Sequence, residues 1–385
     1  MKGKITRIKC DNIILADKVI AGYVYLDGES ITEVSGNEKP ADITYDFSDK
    51  YLAPAFIDAH THGSGGYAFA DTSAQEVING CDFHLAHGTV TVAPTISAER
   101  IEVVERSVKN ISQAKRSGKA KGHIIGAHLE GPYLSAKQCG AQCPTFITPP
   151  VEADYKRIVK EYGEDVTRWT YAPENDEDGA FAKYLTEHGV IASAGHTDAT
   201  YDDMKLAIDS GCNLITHLYS CTSTVTRNAG FRSLGVIESA YLRDELTAEI
   251  IADGKHLPPD LVKMIVKIKG TDKVIAVTDS MPVAGVDITE GECCGTKFIV
   301  EEGVARLPDR SAFAGSIATG DRLLKILVAE CGFSYPDALK MLALNAARMH
   351  KLNKGEIKPG LDADLIAIDT GFCITDVFVM GEKVI

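Results

Sequence analysis

The sequence predicts an α/β protein: a (β/α)8 barrel of the TIM type with a small β-sandwich domain built from both chain ends. Eight short apolar runs each end in polar or glycine residues and are followed by a longer amphipathic stretch. This alternation is typical of βα units, and eight parallel units close into a barrel. The two ends show short strand-like pieces with turn residues, which predicts that they pair with each other. We therefore assign residues 51–354 to the barrel, and residues 1–50 and 355–385 to the small domain.

The eight predicted barrel strands are rich in Val, Ile and Ala and are spread over the middle of the chain. A further strand-like segment, CGTKFIVEEGVARLPD, follows the last of them and is predicted to be a hairpin outside the barrel. The eight runs are YLAPAFIDAHTH from Tyr51, TVTVAPTI from Thr89, HIIGAHLEGPY from His123, RWTYAPE from Arg168, VIASAGHT from Val190, NLITHLY from Asn213, LTAEIIADGKH from Leu246 and KVIAVTDS from Lys273.

Composition and charge exclude several classes of protein. The 385 residues include 40 basic and 54 acidic side chains, a net charge of -14, which has the wrong sign for binding nucleic acid. The first 22 residues interrupt their apolar positions with Lys, Asp and Arg, so they predict neither a signal peptide nor a membrane span. We therefore expect a cytoplasmic protein. Its ten cysteines form no CxxC pair and are predicted to be buried free thiols.

Metal-ligating residue types stand where several predicted strands end, at the barrel face that carries the chemistry in such folds. The first strand ends in His60-Thr61-His62, and residues two apart on a strand point to one face, so both imidazoles can approach one cation. The third, fifth and sixth strands end in Glu130, His196 and His217. Mixed imidazole and carboxylate ligands predict one or two divalent ions, with zinc or iron preferred, and a Glu between two His groups could bridge two ions.

The last two strands end in residues suited to acid–base and electrostatic catalysis. Asp279, after the eighth strand, is placed to take a proton from a metal-activated water and to return it to a leaving amine. His256, after the seventh strand, can donate a hydrogen bond to a carbonyl oxygen as negative charge develops. The alternatives are a helix N-cap for Asp279 and a loop histidine for His256. His128, two residues before Glu130, is predicted to fill the barrel interior.

An ordered set of motifs extends from Leu52 to beyond Gly360: PAFIDAHTH, HLEGPY, SAGHTDA, THLY, IADGKH, VTDSMPVAG and FAGS. With these, the chain resembles the N-acetylglucosamine-6-phosphate deacetylases of the amidohydrolase superfamily. The resemblance implies that a principal metal is held by Glu130, His196 and His217, that His60 and His62 support a second metal, and that Asp279 is the catalytic acid and base.

The resemblance also implies a pocket for an amino-sugar phosphate. It implies that Arg227 binds the phosphate, often from a neighbouring subunit, which predicts a homodimer; a planar guanidinium suits this task. Two segments of this pocket depart from the family pattern: Ser220-Cys221-Thr222 stands where Asn-Ala-Met is usual, and Gly140-Ala141-Gln142 where Gly-Ala-His is usual. We expect the backbone amides of Ser220 and Cys221 to bind a phosphate and the Gln142 side chain to bind a sugar hydroxyl. The other residues implied to contact the sugar are Asp253 and Gly254, which precede His256, and the turn Phe313-Ala314-Gly315.

The expected reaction is hydrolysis of the acetamide of N-acetylglucosamine-6-phosphate to glucosamine-6-phosphate and acetate. One alternative is a deacetylase of another N-acetylhexosamine, such as N-acetylgalactosamine-6-phosphate or an unphosphorylated sugar. Another is a different amidohydrolase, many of which bridge two metals through a carboxylated Lys on the fourth strand, where this chain has RWTYAPE. A third is a sugar-sensing protein without turnover. The protein is expected to act on a small molecule, with neither a nucleic acid nor a membrane as partner.

Overall fold

The computed structural model describes residues 4–385 and contains a nearly closed barrel of eight parallel strands. Seven of the strands lie within a predicted run, and the fourth begins two residues before its run, so the barrel is confirmed. A short strand, His123–Ile124, also pairs with the second barrel strand. The barrel strands are Phe56–Thr61, Thr89–Ile96, Ala127–Glu130, Val166–Tyr171, Ile191–Ala194, Leu214–Ile215, Thr247–Ile251 and Val274–Val277.

The strands pair side by side in chain order, from the first to the eighth. The eighth strand meets the first at their carboxyl ends, where the Asp279 amide donates to the His60 carbonyl (2.9 Å) and the His62 amide donates to the Ser280 carbonyl (2.8 Å). These bonds join the first and eighth strands at the face formed by the carboxyl ends of the barrel strands.

Amphipathic helices cover the outside of the barrel. Helix Ile101–Ser117 shows why they form: Val104, Val108 and Ile111 recur at helical spacing and are buried, and Gly118 ends the helix in a left-handed conformation. No helix among the described residues combines the length and the apolar character needed to cross a bilayer. The helices are Ala74–Phe83, Ile101–Ser117, Glu152–Tyr162, Ala180–Glu187, Tyr201–Asp209, Val236–Leu242, Pro259–Lys269, Gly320–Lys325, Tyr335–Leu339 and Asn345–Met349, with π-helical turns at Ile326–Glu330 and Lys340–Leu344.

The two chain ends join in one eight-stranded sheet with a core of its own. Tyr51–Pro54 is central to it, because it pairs with Leu365–Ile368 on one side and with Ile5–Ile14 on the other. The predicted run from Tyr51 is therefore divided between this sheet and the barrel. The sandwich form and the domain boundaries stay predictions. The remaining strands of the sheet are Val19–Asp27, Ser30–Ser35, Ile43–Asp46, Ile374–Val379 and Glu382–Lys383.

The predicted hairpin after the eighth strand is part of a four-stranded antiparallel sheet next to the barrel mouth. Its last strand is tied to the end of the eighth barrel strand, since the Ser316 amide donates to the Asp279 carbonyl (2.9 Å). The strands are Glu290–Cys293, Thr296–Glu301, Val304–Arg306 and Phe313–Gly315. Two small hairpins accompany it, formed by Gly63–Ser64 with Tyr67–Ala68 and by Thr226–Asn228 with Phe231–Ser233.

Candidate metal centre and active site

Six predicted side chains converge at the carboxyl ends of five barrel strands. They form two groups, within each of which the donor atoms lie within 4.8 Å of one another. The Glu130 carboxylate faces both groups, because its Oε1 lies 2.8 Å from His217 Nε2 and its Oε2 lies 3.2 Å from His62 Nε2. The first group is His60, His62 and Asp279, and the second is Glu130, His196 and His217.

The spacing in each group fits a divalent cation. The Nε2 atoms of His60 and His62 are 3.3 Å apart, and those of His196 and His217 are 3.2 Å apart. A tetrahedral ion with bonds of ~2.1 Å holds its ligands roughly 3.4 Å from one another. The donors are nitrogen and oxygen atoms, a set that suits zinc or iron and does not choose between them.

The electrostatics of the cluster also favour a cation. Burial lowers the pKa of His60, but the carboxylates of Asp279, Glu130 and Glu249 outweigh burial and raise it to about 10. For Glu130, burial raises the pKa, but His60 and His196 outweigh it and hold the value well below its ordinary range. The site therefore stabilises positive charge, whether a ring proton or a metal ion carries it.

Three residues of the cluster have left-handed backbone, which is uncommon outside glycine. Their φ angles are +47° at His196, +30° at His217 and +47° at Asp279. Each is fixed by hydrogen bonds; for instance, the His217 amide donates to Glu249 Oε1 (3.1 Å), and the His196 carbonyl accepts from the Ser135 amide (2.8 Å). This turn after the strand aims each side chain across the barrel mouth.

Below the cluster lies a buried ion pair that the sequence analysis missed. Glu249 and Arg168 are both fully buried and paired, and Arg168 Nη2 also donates to Thr216 Oγ1 (2.7 Å). Glu249 Oε1 accepts from His60 Nδ1 (2.9 Å), which leaves Nε2 of that ring facing the cluster. Burial raises the pKa of Glu249, but Arg168 and His60 outweigh it and hold the carboxyl ionised. The signal in the sequence was one charged residue in each of two otherwise uncharged barrel strands.

His256 is held in one orientation by Asp253, which is itself fully buried. His256 Nδ1 donates to Asp253 Oδ2 (2.9 Å), while Asp253 Oδ1 accepts from the amides of Lys255 and His256 (both 2.8 Å). The ring packs against Phe313, with 4.8 Å between the centroids. Because Nδ1 is occupied, Nε2 is the atom left for a ligand in the cavity.

A cavity of about 300 Å³ lies over the cluster, a size within reach of small-molecule sites. Three residues predicted to contact the substrate are not among its lining: Asp253 supports His256, Gly254 packs near Ile326, and Arg227 lies on the exposed hairpin Thr226–Asn228. The predicted residues that do line it are His62, Glu130, Ala141, Gln142, His196, His217, Ser220, Cys221, His256, Asp279, Phe313, Ala314 and Gly315.

Two further predictions concern residues that are not ligands. His128 fills the barrel interior as predicted, with its ring nitrogens 3.1 Å from Thr95 Oγ1 and 2.8 Å from Thr170 Oγ1. The cysteines are free as predicted, but only four of the ten are buried, so their predicted burial was wrong for the others. Four of the six that are not buried line the cavity, because the segments over the barrel mouth carry them: Cys143, Cys221, Cys293 and Cys294.

Gln142 supports Glu130 in this structure. Its Nε2 donates to Glu130 Oε2 (2.6 Å), and its Oε1 accepts from the Ala98 amide (2.8 Å). The side chain that replaces the family's usual His is thus engaged with a predicted metal ligand.

We expect Gln142→Ala to weaken divalent metal binding by about 10- to 100-fold, because hydrogen bonds to ligating carboxylates orient them. Competition against a chromophoric chelator measures this affinity. Gln113→Ala, on the exposed face of helix Ile101–Ser117, is the matched control and should bind metal as the parent does. Equal affinities for the two variants would contradict the supporting role of Gln142.

Comparison with known proteins agrees with this geometry. The profile of the Amidohydrolase family matches residues 51–384. An N-acetylglucosamine-6-phosphate deacetylase of Lysinibacillus sphaericus is 32% identical over 84% of this chain and 82% of its own length. An N-acetylgalactosamine-6-phosphate deacetylase of Escherichia coli O157:H7 is 26% identical over 86% of this chain and 87% of its own length.

Among solved structures, a mutant N-acetyl-D-glucosamine-6-phosphate deacetylase of Mycobacterium smegmatis, in complex with N-acetyl-D-glucosamine-6-phosphate, covers the whole of both chains. It has a TM-score of 0.93 and 28% sequence identity to this protein. The family profile covers most of the chain, and the two predicted metal-ligand groups lie within the matched residues. The chain belongs to the amidohydrolase family.

Proposed function

We propose that this protein is a metal-dependent deacetylase that hydrolyses the acetamide of N-acetylglucosamine-6-phosphate to glucosamine-6-phosphate and acetate. The observation that carries the proposal is the convergence of six strand-end donors in two groups at one cavity, five of which line that cavity together with His256. Relatives named for this activity match most of the chain, which supports the same substrate here.

The metal ligands and Asp279 are proposed to have different roles in the reaction. A divalent ion, held by Glu130, His196 and His217, would supply Lewis acidity toward the acetamide carbonyl and toward water. Asp279, at the mouth of the barrel, accepts a proton from the attacking water and delivers it to the departing amine.

His256 is proposed to stabilise the negative charge that develops on the substrate carbonyl oxygen. With Nδ1 bound to Asp253, its Nε2–H donates to the carbonyl oxygen as that atom gains negative charge. His60 and His62, with Asp279 beside them, would hold a second ion. Zinc or iron is the metal we propose for either position.

The sugar pocket is proposed to use the cavity lining. Ala141, Ser220 and Cys221 line it, as does the strand Phe313–Gly315. Arg227 is exposed and does not line the cavity of its own chain, so we propose that it contacts the phosphate bound by a second copy of the chain. The homodimer and the cytoplasmic location stay predictions from the sequence.

Acetate release from a panel of N-acetylhexosamines tests this proposal. The panel holds N-acetylglucosamine and N-acetylgalactosamine, each with and without the 6-phosphate, assayed with added zinc, iron or manganese. We expect N-acetylglucosamine-6-phosphate to give the highest kcat/KM, and a chelator to abolish turnover.

The panel also separates the alternatives. Preference for the galactose epimer would support the alternative function, deacetylation of N-acetylgalactosamine-6-phosphate. Similarity to an N-acetylgalactosamine-6-phosphate deacetylase is the observation that favours this alternative. Equal rates with and without phosphate would contradict only the proposed role of Arg227 and would leave the deacetylase chemistry unaffected. Absence of acetate from every sugar with every metal would overturn the deacetylase proposal.

A further inference from the structure

A pair of adjacent thiols stands at the edge of the catalytic cavity. Cys293 ends strand Glu290–Cys293, and Cys294 begins the turn that leads into strand Thr296–Glu301. Both side chains line the cavity, and their Sγ atoms are 3.8 Å apart. Neither has a role in the proposed hydrolysis.

The turn explains why the two sulfurs meet. Neighbouring residues on a strand normally point to opposite faces. Here Cys293 pairs with Thr296, so Cys294 and Gly295 form a two-residue hairpin turn with φ angles of +48° and +74°. Left-handed conformations at both positions are typical of a type I′ turn and suit Asn or Gly better than Cys. This backbone brings the Cys294 thiol to the side of Cys293.

We propose that Cys293 and Cys294 are an oxidation site, at which a small disulfide such as glutathione disulfide closes a reversible bond between the two sulfurs. The Cys293 thiolate attacks the oxidant and forms a mixed disulfide, releasing one small thiol. The Cys294 sulfur then attacks Cys293, releasing the second thiol. The protein loses two hydrogens and two electrons, and the oxidant gains them.

Two properties favour this chemistry. The thiolate is the attacking species, and contact with the Cys294 thiol lowers the pKa of Cys293. Closing a ring between adjacent residues strains the bond, and strained disulfides are reduced more easily than structural ones. The bond is therefore expected to open again with a mild thiol reductant.

Oxidation at this turn would disturb the catalytic cavity. Thr296, two residues after Cys294, donates from Oγ1 to the Ala141 carbonyl (3.0 Å). Ala141 directly precedes Gln142, whose side chain donates to Glu130. A disulfide needs the sulfurs to approach from 3.8 Å to about 2.05 Å, which requires the turn to rearrange. We expect oxidation to lower acetate release several-fold, an effect that rests on the proposed function.

The experiment oxidises the full chain with glutathione disulfide and follows it by intact mass and by peptide mapping. We use the Cys373→Ser background, because Cys373 is exposed and would react by itself. The expected result is a loss of two hydrogens per chain, mapped to a bond within the peptide that holds Cys293 and Cys294. Acetate release should fall and recover with dithiothreitol. Cys293→Ser and Cys294→Ser should each prevent the internal bond.

Several results would overturn the proposal. They are a stable mixed disulfide as the final product, a bond from either residue to Cys143, or full turnover in the oxidised protein. If the reduced protein releases no acetate from any sugar, the proposed function fails, while the mass measurement still tests the oxidation site.

Discussion

Replacing Asp279 by Asn is expected to lower acetate release by about 10²- to 10⁴-fold, the range typical for loss of a general acid or base. Asn keeps the size and one oxygen of the side chain, but it cannot accept the proton of water. Oδ1 of Asp279 lies 3.2 Å from His62 Nε2 and 3.4 Å from His60 Nε2, so the substitution also weakens one of the two metal-ligand groups.

Metal content separates these two effects. Glu130, His196 and His217 are untouched, and we expect the variant to retain metal there, measured by elemental analysis after gel filtration. Asp202→Asn, whose parent side chain is 86% exposed, is the matched control and should keep its activity. Near-normal turnover in a metal-loaded Asp279→Asn protein would show that Asp279 is not the acid and base.

The second large effect is on stability. Arg168→Met should lower the free energy of unfolding by about 3–5 kcal/mol, because it leaves the fully buried Glu249 carboxylate without the guanidinium, its permanently charged partner. Urea denaturation with a chelator present measures this, since bound metal would otherwise add its own stabilisation.

A double variant tests the physical reason. Arg168→Met with Glu249→Gln removes the uncompensated charge, so it should recover part of the lost stability even though another polar contact is gone. Two results would contradict this explanation: a double variant less stable than Arg168→Met alone, or an Arg168→Met protein as stable as the parent. Either would show that Arg168 does not stabilise the fold by compensating the buried Glu249 charge.

The barrel could be predicted because the signals for it lie within short segments of the sequence. Each strand is a short apolar run, and alternation along a strand fixes which residues share a face. Parallel strands in a barrel bring their carboxyl ends to one face, so ligands at four strand ends had to approach one another. That is why Glu130, His196, His217 and the His60–His62 pair could be grouped without coordinates.

The parts that escaped prediction depend on contacts between distant segments. Arg168 and Glu249 are 81 residues apart, and a charged residue in a strand does not reveal its partner. Gln142 appeared able to bind a sugar hydroxyl, but the structure shows both ends of its amide engaged with Ala98 and Glu130. The thiols at the cavity edge depend on a turn whose first left-handed position is Cys294, where Asn or Gly is usual.

The left-handed backbone at His196, His217 and Asp279 sets a trade-off between stability and catalysis. Each such conformation costs on the order of 1–3 kcal/mol, and Gly or Asn would relieve much of it. Selection for thermal stability alone would therefore favour replacement of the residues proposed to bind metal and transfer the proton. Directed evolution of this barrel for heat resistance must retain an activity screen, or the first improved variants will be stable proteins without a reaction.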